Sequence, residues 1–382
     1  MPNLRLRAAF MRGGTSKAVM FRAQDLPADR KAWDGIFLQV MGSPDPNGRQ
    51  LDGMGGGISS LSKVCVIGPP SRPEADVDYT FAQISVRDAT VDYSGNCGNM
   101  SSAVGPFAVE EGIVARPCDG EAVVRIHNTN TAKIIVSRFP VVDGALAADG
   151  DLEIDGIAGR AAPIRLEFLE PGGARTRKLL PSGKVCDWLE VPGLGTLEAS
   201  CVDAANPCVF IAAAAVGKSG AELPDELESD ADFLQRMESI RRAASVRMGI
   251  ACDLEGAARV ASVPKVAMVC GPQAARTLSG RHLSAEDSDI GVRMISIGQP
   301  HRAVPITGAI CLAVAARVPD SLPQRVSRGS AGPIRIAHPS GVTLVDANVT
   351  AGGAVEAIRA EYGAVYRSAR RLFEGNVVYR AP

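Results

Sequence analysis

Two reactive side chains stand in unusual surroundings. Cys97 lies inside GNCGN (Gly95–Asn99), just ahead of the small-residue run Met100–Ala108. That order reads as a turn opening a thin helix. The first N–H groups of a helix have no internal partner and carry partial positive charge, so a thiol placed there is favoured as its anion. A solitary cysteine is by default an inert core residue. The Gly-Asn pairs on both sides argue otherwise, because they supply backbone donors and left-handed geometry that a core thiol does not need. Lys63 ends the glycine-rich loop MGSPDPNGRQLDGMGGG (Met41–Gly57) and its ISSLSK tail, and it opens the apolar run Val64–Ile67. Most lysines are solvated, but one at the edge of an apolar strand is the kind that works as a base. A second small-residue helix begins near Thr307-Gly308 in TGAICLAVAARV. Asn96 or Ser94 is the expected cap of the first helix and Thr307 of the second. Gly98 and Gly308 would let a ligand approach the backbone, so the two helix starts together could hold two carboxylates.

The elements that must position these groups come in two similar sets. GNCGNMSSAVGPFAVEEGIV is followed by VVRIHNTN, and TGAICLAVAARVPDSL is followed by PIRIAHPSG. Cys97 to Arg125 is 28 positions and Ala309 to Arg335 is 26. Short β-type runs separated by Gly, Pro, Asp or Asn recur, among them Leu4–Phe10, Val64–Ile67, Tyr79–Val86, Val123–His127, Lys133–Phe139, Ile164–Phe168 and Leu197–Val202. The longest helical pattern is Glu222–Met248, with an expected break at Ser229–Ala231. A helix of Ala, Ser, Gly and Val is thin enough to sit inside a curled sheet. The pattern therefore predicts an α+β protein of two pseudo-repeated domains, each a barrel-like sheet around a central helix. Their boundary falls in the polar stretch Pro171–Lys178, giving residues 1–178, joined by a C-terminal strand 370–382, and residues 179–369. Pro106 is expected to bend the first central helix.

Composition narrows the function. Net charge is −1, from 41 basic and 42 acidic residues, and aromatics are 4%. That balance offers nucleic acid neither a basic patch nor stacking surfaces. Runs such as Val209–Val216 are far short of the roughly 20 residues of a membrane helix, and Arg5, Arg7 and Arg12 interrupt any signal-peptide core. Nine cysteines without a CxxC pair fit a reducing compartment, so a cytoplasmic protein is expected. The four histidines lack metal-ligand spacing, there is no G-x-S-x-G elbow, and the glycine loop matches neither the P-loop nor the dinucleotide fingerprint. Such a loop more often shapes a pocket or lid.

MRGGTSK (Met11–Lys17), MGSPD, DGMGG, the Ser-Lys-Val at Ser62–Val64, DVDY (Asp76–Tyr79), GNCGNMSSAVGPFA, LPSGKV (Leu180–Val185), DAANPCVF (Asp203–Phe210), RMISIGQPHRAVPITGA (Arg293–Ala309) and Leu372–Tyr379 resemble the PrpF family. That family includes aconitate, 2-methylaconitate and methylitaconate isomerases and 4-oxalomesaconate tautomerases. The resemblance implies the diaminopimelate-epimerase-like fold and a cofactor-independent isomerase, without metal, that catalyses a 1,3-proton shift or a cis/trans isomerisation in a small unsaturated di- or tricarboxylate, its acid–base pair falling on Lys63 and Cys97. It also implies that Ser16, Lys17, Ser62, Asn96, Gly98, Asn99, Asn206, His301, Thr307 and Gly308 line the substrate. In the related epimerases both helix starts carry a cysteine, whereas the matching position here is Ala309. Cys311 is two residues on, about 200° around the helix, and should point elsewhere. The implied partner is a small polycarboxylate, with no nucleic acid and no membrane, and a homodimer is the oligomer considered. A tautomerase of oxalomesaconate-like acids would use the same residues. The rivals of another class are a non-catalytic accessory protein of the methylcitrate route and a small-molecule carrier.

Overall fold

The computed structural model describes residues 3–115, 118–329 and 332–380, so Met1, Pro2, Ala381 and Pro382 of the expected terminal segments lie outside it. The chain divides into two units, Met1–Glu167 with Tyr366–Pro382, and Phe168–Val365. The division differs from the expected one at residue 178, and the C-terminal return begins earlier than residue 370. Pro171–Lys178 does not act as a linker. Asp203 accepts the N–H groups of Arg175 and Thr176 at 2.8 and 2.6 Å, and Ala205 N–H donates to the Pro171 carbonyl at 2.8 Å. These bonds tie the stretch to the hairpin Gly195–Ala212 of the second unit.

The first unit is a continuous ladder. Ala369–Arg380 lies antiparallel to Asn3–Gly13, which turns into Ser16–Arg22. Ser16–Arg22 runs parallel to Lys63–Gly68, which is antiparallel to Val77–Ile84; that strand is parallel to Gly120–Asn128, itself antiparallel to Lys133–Val142. The parallel pair Val77–Ile84 and Gly120–Asn128 is joined by the central helix Gly98–Glu110, which touches seven of the unit's strands, including those at residues 3–13, 63–68 and 133–142. The sheet therefore curls around it. The fit depends on side-chain size: a Cβ on Gly105 would stand 2.7 Å from Ser137 Oγ and 2.8 Å from the Phe139 ring. Pro106 sits inside this helix without ending it.

The second unit repeats the order of directions. Gly195–Ala204 and Asn206–Ala212 are antiparallel, Asn206–Ala212 and Lys265–Cys270 parallel, Lys265–Cys270 and Ile290–Ser296 antiparallel, Ile290–Ser296 and Ile334–His338 parallel, and Ile334–His338 and Gly341–Thr350 antiparallel. The helix Ile306–Ala315 again joins the second parallel pair. The repeat reaches single residues. Arg125 exchanges backbone bonds with Asp76 and its side-chain carboxylate, and Arg335 does the same with Asp289.

Alternation assigns the two faces of each sheet. In the first unit Val19, Phe21, Val64, Val66, Ala82 and Ile84 pack against Trp33, Ile36, Phe37 and Val40 of the helix Trp33–Met41. Ser16, Ala18, Lys63, Cys65, Tyr79, Phe81 and Gln83 therefore face the central helix. In the second unit Val209, Val266, Met268 and Ile295 pack against Phe233, Met237 and Ile240 of the helix Ala231–Arg247. Cys208, Lys265, Met294 and Ser296 then face the helix Ile306–Ala315. The short helix Pro224–Glu228 precedes Ala231–Arg247, with the break where the sequence predicts it. No helix among the described residues is long and apolar enough to cross a membrane.

Candidate active site

Lys63 is the first residue of its strand and is buried. It stands opposite Gln83, donates from Nζ to Gln83 Oε1, and lies 5.2 Å from the Phe81 ring centre. The Gln83 amide donates in turn to the carbonyls of Ser59 and Ser62 at 3.1 and 3.0 Å. One glutamine thus holds both the lysine and the end of the glycine loop. That loop is closed by buried Gln50, whose Oε1 accepts from Ser62 Oγ at 2.6 Å and from Gly57 N–H at 2.9 Å. Ser62 accordingly serves the loop.

Cys97 is half-buried at the N-cap of the first central helix, and no side chain among the described residues caps that end. This corrects the capping expectation. Asn96 Oδ1 accepts instead from Ser101 Oγ at 3.2 Å and from Asn128 Nδ2 at 3.3 Å, while Ser94 N–H turns to Asp92 at 2.7 Å. The N–H groups of Gly98, Asn99 and Met100 begin the helix with no side-chain partner, which suits an anion. The double glycine of MRGGTSK shapes this turn from the outside. A Cβ on Gly13 would lie 2.7 Å from the Asn99 carbonyl, and one on Gly14, at φ +49°, 2.3 Å from Asn99 Oδ1. Asn99 Nδ2 donates to Thr15 Oγ1 at 3.1 Å.

Lys63 and Cys97 both lie near enough to Cys65 for their charges to act on its thiol. Burial pushes the Cys65 thiol up, Cys97 adds to that rise, and the Lys63 ammonium opposes it. Tyr79 shares the neighbourhood: its hydroxyl is 3.8 Å from Cys65 Sγ and is pushed up by burial, Cys65 and Cys97. The inner face thus brings together Ser16, Lys63, Cys65, Tyr79, Phe81 and Gln83 with the start of the helix. Lys17 is not among them. It lies on the other face, 6.0 Å from the Phe10 ring centre, because successive strand residues point to opposite sides.

The remaining expected residues lie in the second unit. Asn206 opens its strand across the tight turn at Ala205, the place Ser16 holds in the first unit, and its amide donates to the Pro207 carbonyl at 3.0 Å. The second central helix starts at Ile306 with Pro305 at its N-cap. Thr307 is therefore within the first turn, exposed, and does not cap it. Gly308 is buried, and a Cβ there would stand 2.5 Å from Met294 Sδ. The first-turn bonds correct the alignment of the halves: Ser101 N–H donates to the Cys97 carbonyl and Ala309 N–H to that of Pro305, so Pro305 is the counterpart of Cys97. Cys311 is buried, bonds to the Val202 carbonyl at 3.4 Å, and is pushed up by burial and by Cys208. His301 bonds through its backbone to Met294 at 2.8 Å, while its Nε2 is buried without a partner among the described residues. Burial first, and the Lys265 charge second, bring its pKa down to about 4.

Sequence reasoning missed Gln83, Cys65 and Tyr79. The signal was present as Tyr79-x-Phe81-x-Gln83 and Lys63-x-Cys65, which read as one face once the strands are paired. A cavity of about 840 Å³ in the first unit lies elsewhere, between the loop Gly42–Asp52 and Tyr379–Arg380.

The sequence matches the family described as PrpF protein over residues 3–380. The chain belongs to the PrpF family. It is 40% identical over 388 residues to 2-methyl-aconitate isomerase of Shewanella oneidensis, covering 98% of this chain and 97% of that one. It is also 40% identical over 378 residues to 3-methylitaconate isomerase of Eubacterium barkeri, with the same coverage. The crystal structure of a methylitaconate-delta-isomerase superposes with a TM-score of 0.91 at 38% identity, covering 99% of this chain and 96% of that one. This PrpF chain thus shares its fold with a solved isomerase.

Proposed function

We propose that this chain is a cofactor-independent isomerase that moves a proton within a small unsaturated di- or tricarboxylate such as aconitate, 2-methylaconitate or methylitaconate. The reading is supported by a buried Lys63 and a helix-start Cys97 that both lie near enough to Cys65 to act on its thiol, at a helix start that no side chain among the described residues caps. The PrpF relatives, named isomerases of such acids, support it.

The chemistry is a 1,3-proton shift. One of the pair removes a C–H proton next to a carboxylate, and the bonding electrons move into a dienolate. The N–H groups of Gly98, Asn99 and Met100 stabilise the charge that grows on its oxygens, as an oxyanion hole does. The other group returns a proton two carbons away, so the double bond has moved and no atom is gained or lost. The amine and thiol then exchange protons to reset. Gln83 fixes the amine, and its side-chain position follows from strand register. The nine unpaired thiols fit a reducing compartment, and the cytoplasm is the proposed site of action.

The test is proton NMR in deuterium oxide with aconitates, itaconates, 2-methylaconitate and oxalomesaconate. Deuterium entering one acid, with appearance of its isomer, identifies the substrate. No exchange into any of them would remove the reading.

A further inference from the structure

The repeat that failed to supply a second cysteine supplies a second lysine. In the first unit Lys63 opens its strand beside Ser16–Arg22 and stands opposite Gln83, to which its Nζ donates. In the second unit Lys265 opens the corresponding strand, pairs in parallel with Cys208, and by the register Val266↔Ile295 stands opposite Ser296. Its Nζ donates to Ser296 Oγ at 3.0 Å. Both lysines are on the face that looks toward their central helix, at the same end of the same strand. The sequence carries the likeness as Lys63-Val64-Cys65-Val66 and Lys265-Val266-Ala267-Met268.

We propose that Lys265, with Ser296 and His301, forms a carboxylate-binding subsite in the second unit. The inference rests on the polycarboxylate reading above and deepens it. Three observations converge. Lys265 is half-buried, and no carboxylate among the described residues balances its charge. His301 lies near enough to Lys265 to feel that charge, and its Nε2 is buried without a partner among the described residues. A buried polar atom left unbonded is costly, and an entering carboxylate oxygen meets that need while pairing with the ammonium. The role is binding rather than proton transfer. Where the first unit has Cys97 the second has Pro305, which has no proton to give or take, so Lys265 has no acid–base partner of the kind Lys63 has.

The experiment compares wild type, Lys265→Met and Ser296→Ala in three readouts: turnover of the substrate identified above, calorimetric binding of tricarballylate and methylsuccinate, and the His301 ring proton by NMR during those titrations. Lys265→Met should raise KM and weaken probe binding by about ten- to a hundredfold, with kcat little changed, as loss of a charge-assisted hydrogen bond does. Ser296→Ala should show a smaller effect of the same kind. The His301 signal should move on adding probe to wild type and need about ten- to a hundredfold more probe to move in Lys265→Met. Unchanged KM and binding in Lys265→Met, in an enzyme that turns over, overturns the subsite and leaves the isomerase reading standing. A His301 response that depends on Lys265, in a protein that isomerises nothing, supports the subsite and overturns the reaction. A wild type that binds neither probe and exchanges deuterium into none of the acids overturns both. If the Met variant does not fold, Lys265→Gln takes its place with the same expectations.

Discussion

The proposed pair is the most exposed to test because its two members should fail differently. Lys63→Met and Cys97→Ser should each keep substrate binding and lose turnover by about 10²–10⁴-fold, the usual contribution of a general acid or base. The variant that keeps the base should still exchange its substrate proton with deuterium, and the one that lacks it should not. The double variant should be little worse than the poorer single one, because groups that act as a unit are not additive. Cys311→Ala is the control: its thiol is buried against the Val202 carbonyl, so turnover should survive. If Cys97→Ala keeps normal rates while Cys311→Ala loses them, the site is misplaced. Gln83→Leu should lower kcat more than it raises KM, by about ten- to a hundredfold, since it frees the lysine and removes a charge-assisted bond; an unaltered kcat would deny Gln83 its positioning role. Of this site, Lys63, Cys97 and the helix-start residues were legible because Gly-Asn flanks and a glycine loop are local signals. Gln83, Cys65 and Tyr79 were not, because their common face exists only after two strands pair. The separation of Lys17 from Ser16 was hidden for the same reason: a contiguous motif conceals the alternation that sends their side chains to opposite sides.

The glycine pair of MRGGTSK explains at the level of elements why a hairpin turn is part of the site. Gly13 and Gly14 stand where any Cβ would strike Asn99 in the first turn of the central helix. Gly14→Ala adds a left-handed backbone penalty to that clash, so it should lower stability by about 1–3 kcal/mol in urea unfolding and also lower kcat by displacing the N–H groups. Gly159→Ala also replaces a glycine of positive φ, +82°, but nothing lies within 4 Å of its added Cβ, so it should cost stability without touching kcat. Equal kcat losses in the two variants would mean that the Asn99 contact has no catalytic consequence. Most strands and the break at Ser229–Ala231 were readable from periodicity and turn residues. The helix Trp33–Met41 was not, because its short pattern WDGIFLQVM has a glycine in its first turn. The alignment of the halves was misread by one helical turn, Ala309 for Pro305. Runs of small residues have no feature that marks where a helix begins, and the first-turn hydrogen bonds supply it.

For the molecule as a whole, the division into two units places every proposed proton-transfer group in the first and leaves in the second a lysine and histidine that can hold charge. That arrangement has a consequence for stability that can be read without any substrate. His301 has its pKa brought down to about 4 by burial and by Lys265, whereas in the unfolded chain it titrates near 6.5. Between these values the unfolded state binds a proton that the folded state does not, so stability rises with pH across the window from about 4 to about 6.5 and falls on acidification. Carboxylates enter only lower. Burial opposes ionisation of Asp289 and Asp78, but hydrogen bonds from Arg335 to the first, and from Ser71 and His127 to the second, outweigh it and hold both below the ordinary range. Their contribution is present above about 3.9, the unfolded value, and is lost beneath it. Urea midpoints at pH 7 and pH 5, compared between wild type and His301→Asn, therefore separate the contribution of His301. Wild type should lose stability between them, and His301→Asn, which cannot titrate, should lose less. Lys265→Met should also flatten the dependence, because removing the neighbouring charge lets the His301 pKa rise toward its unfolded value. Parallel losses in all three proteins would place the acid sensitivity elsewhere and deny that Lys265 and His301 share one charged neighbourhood.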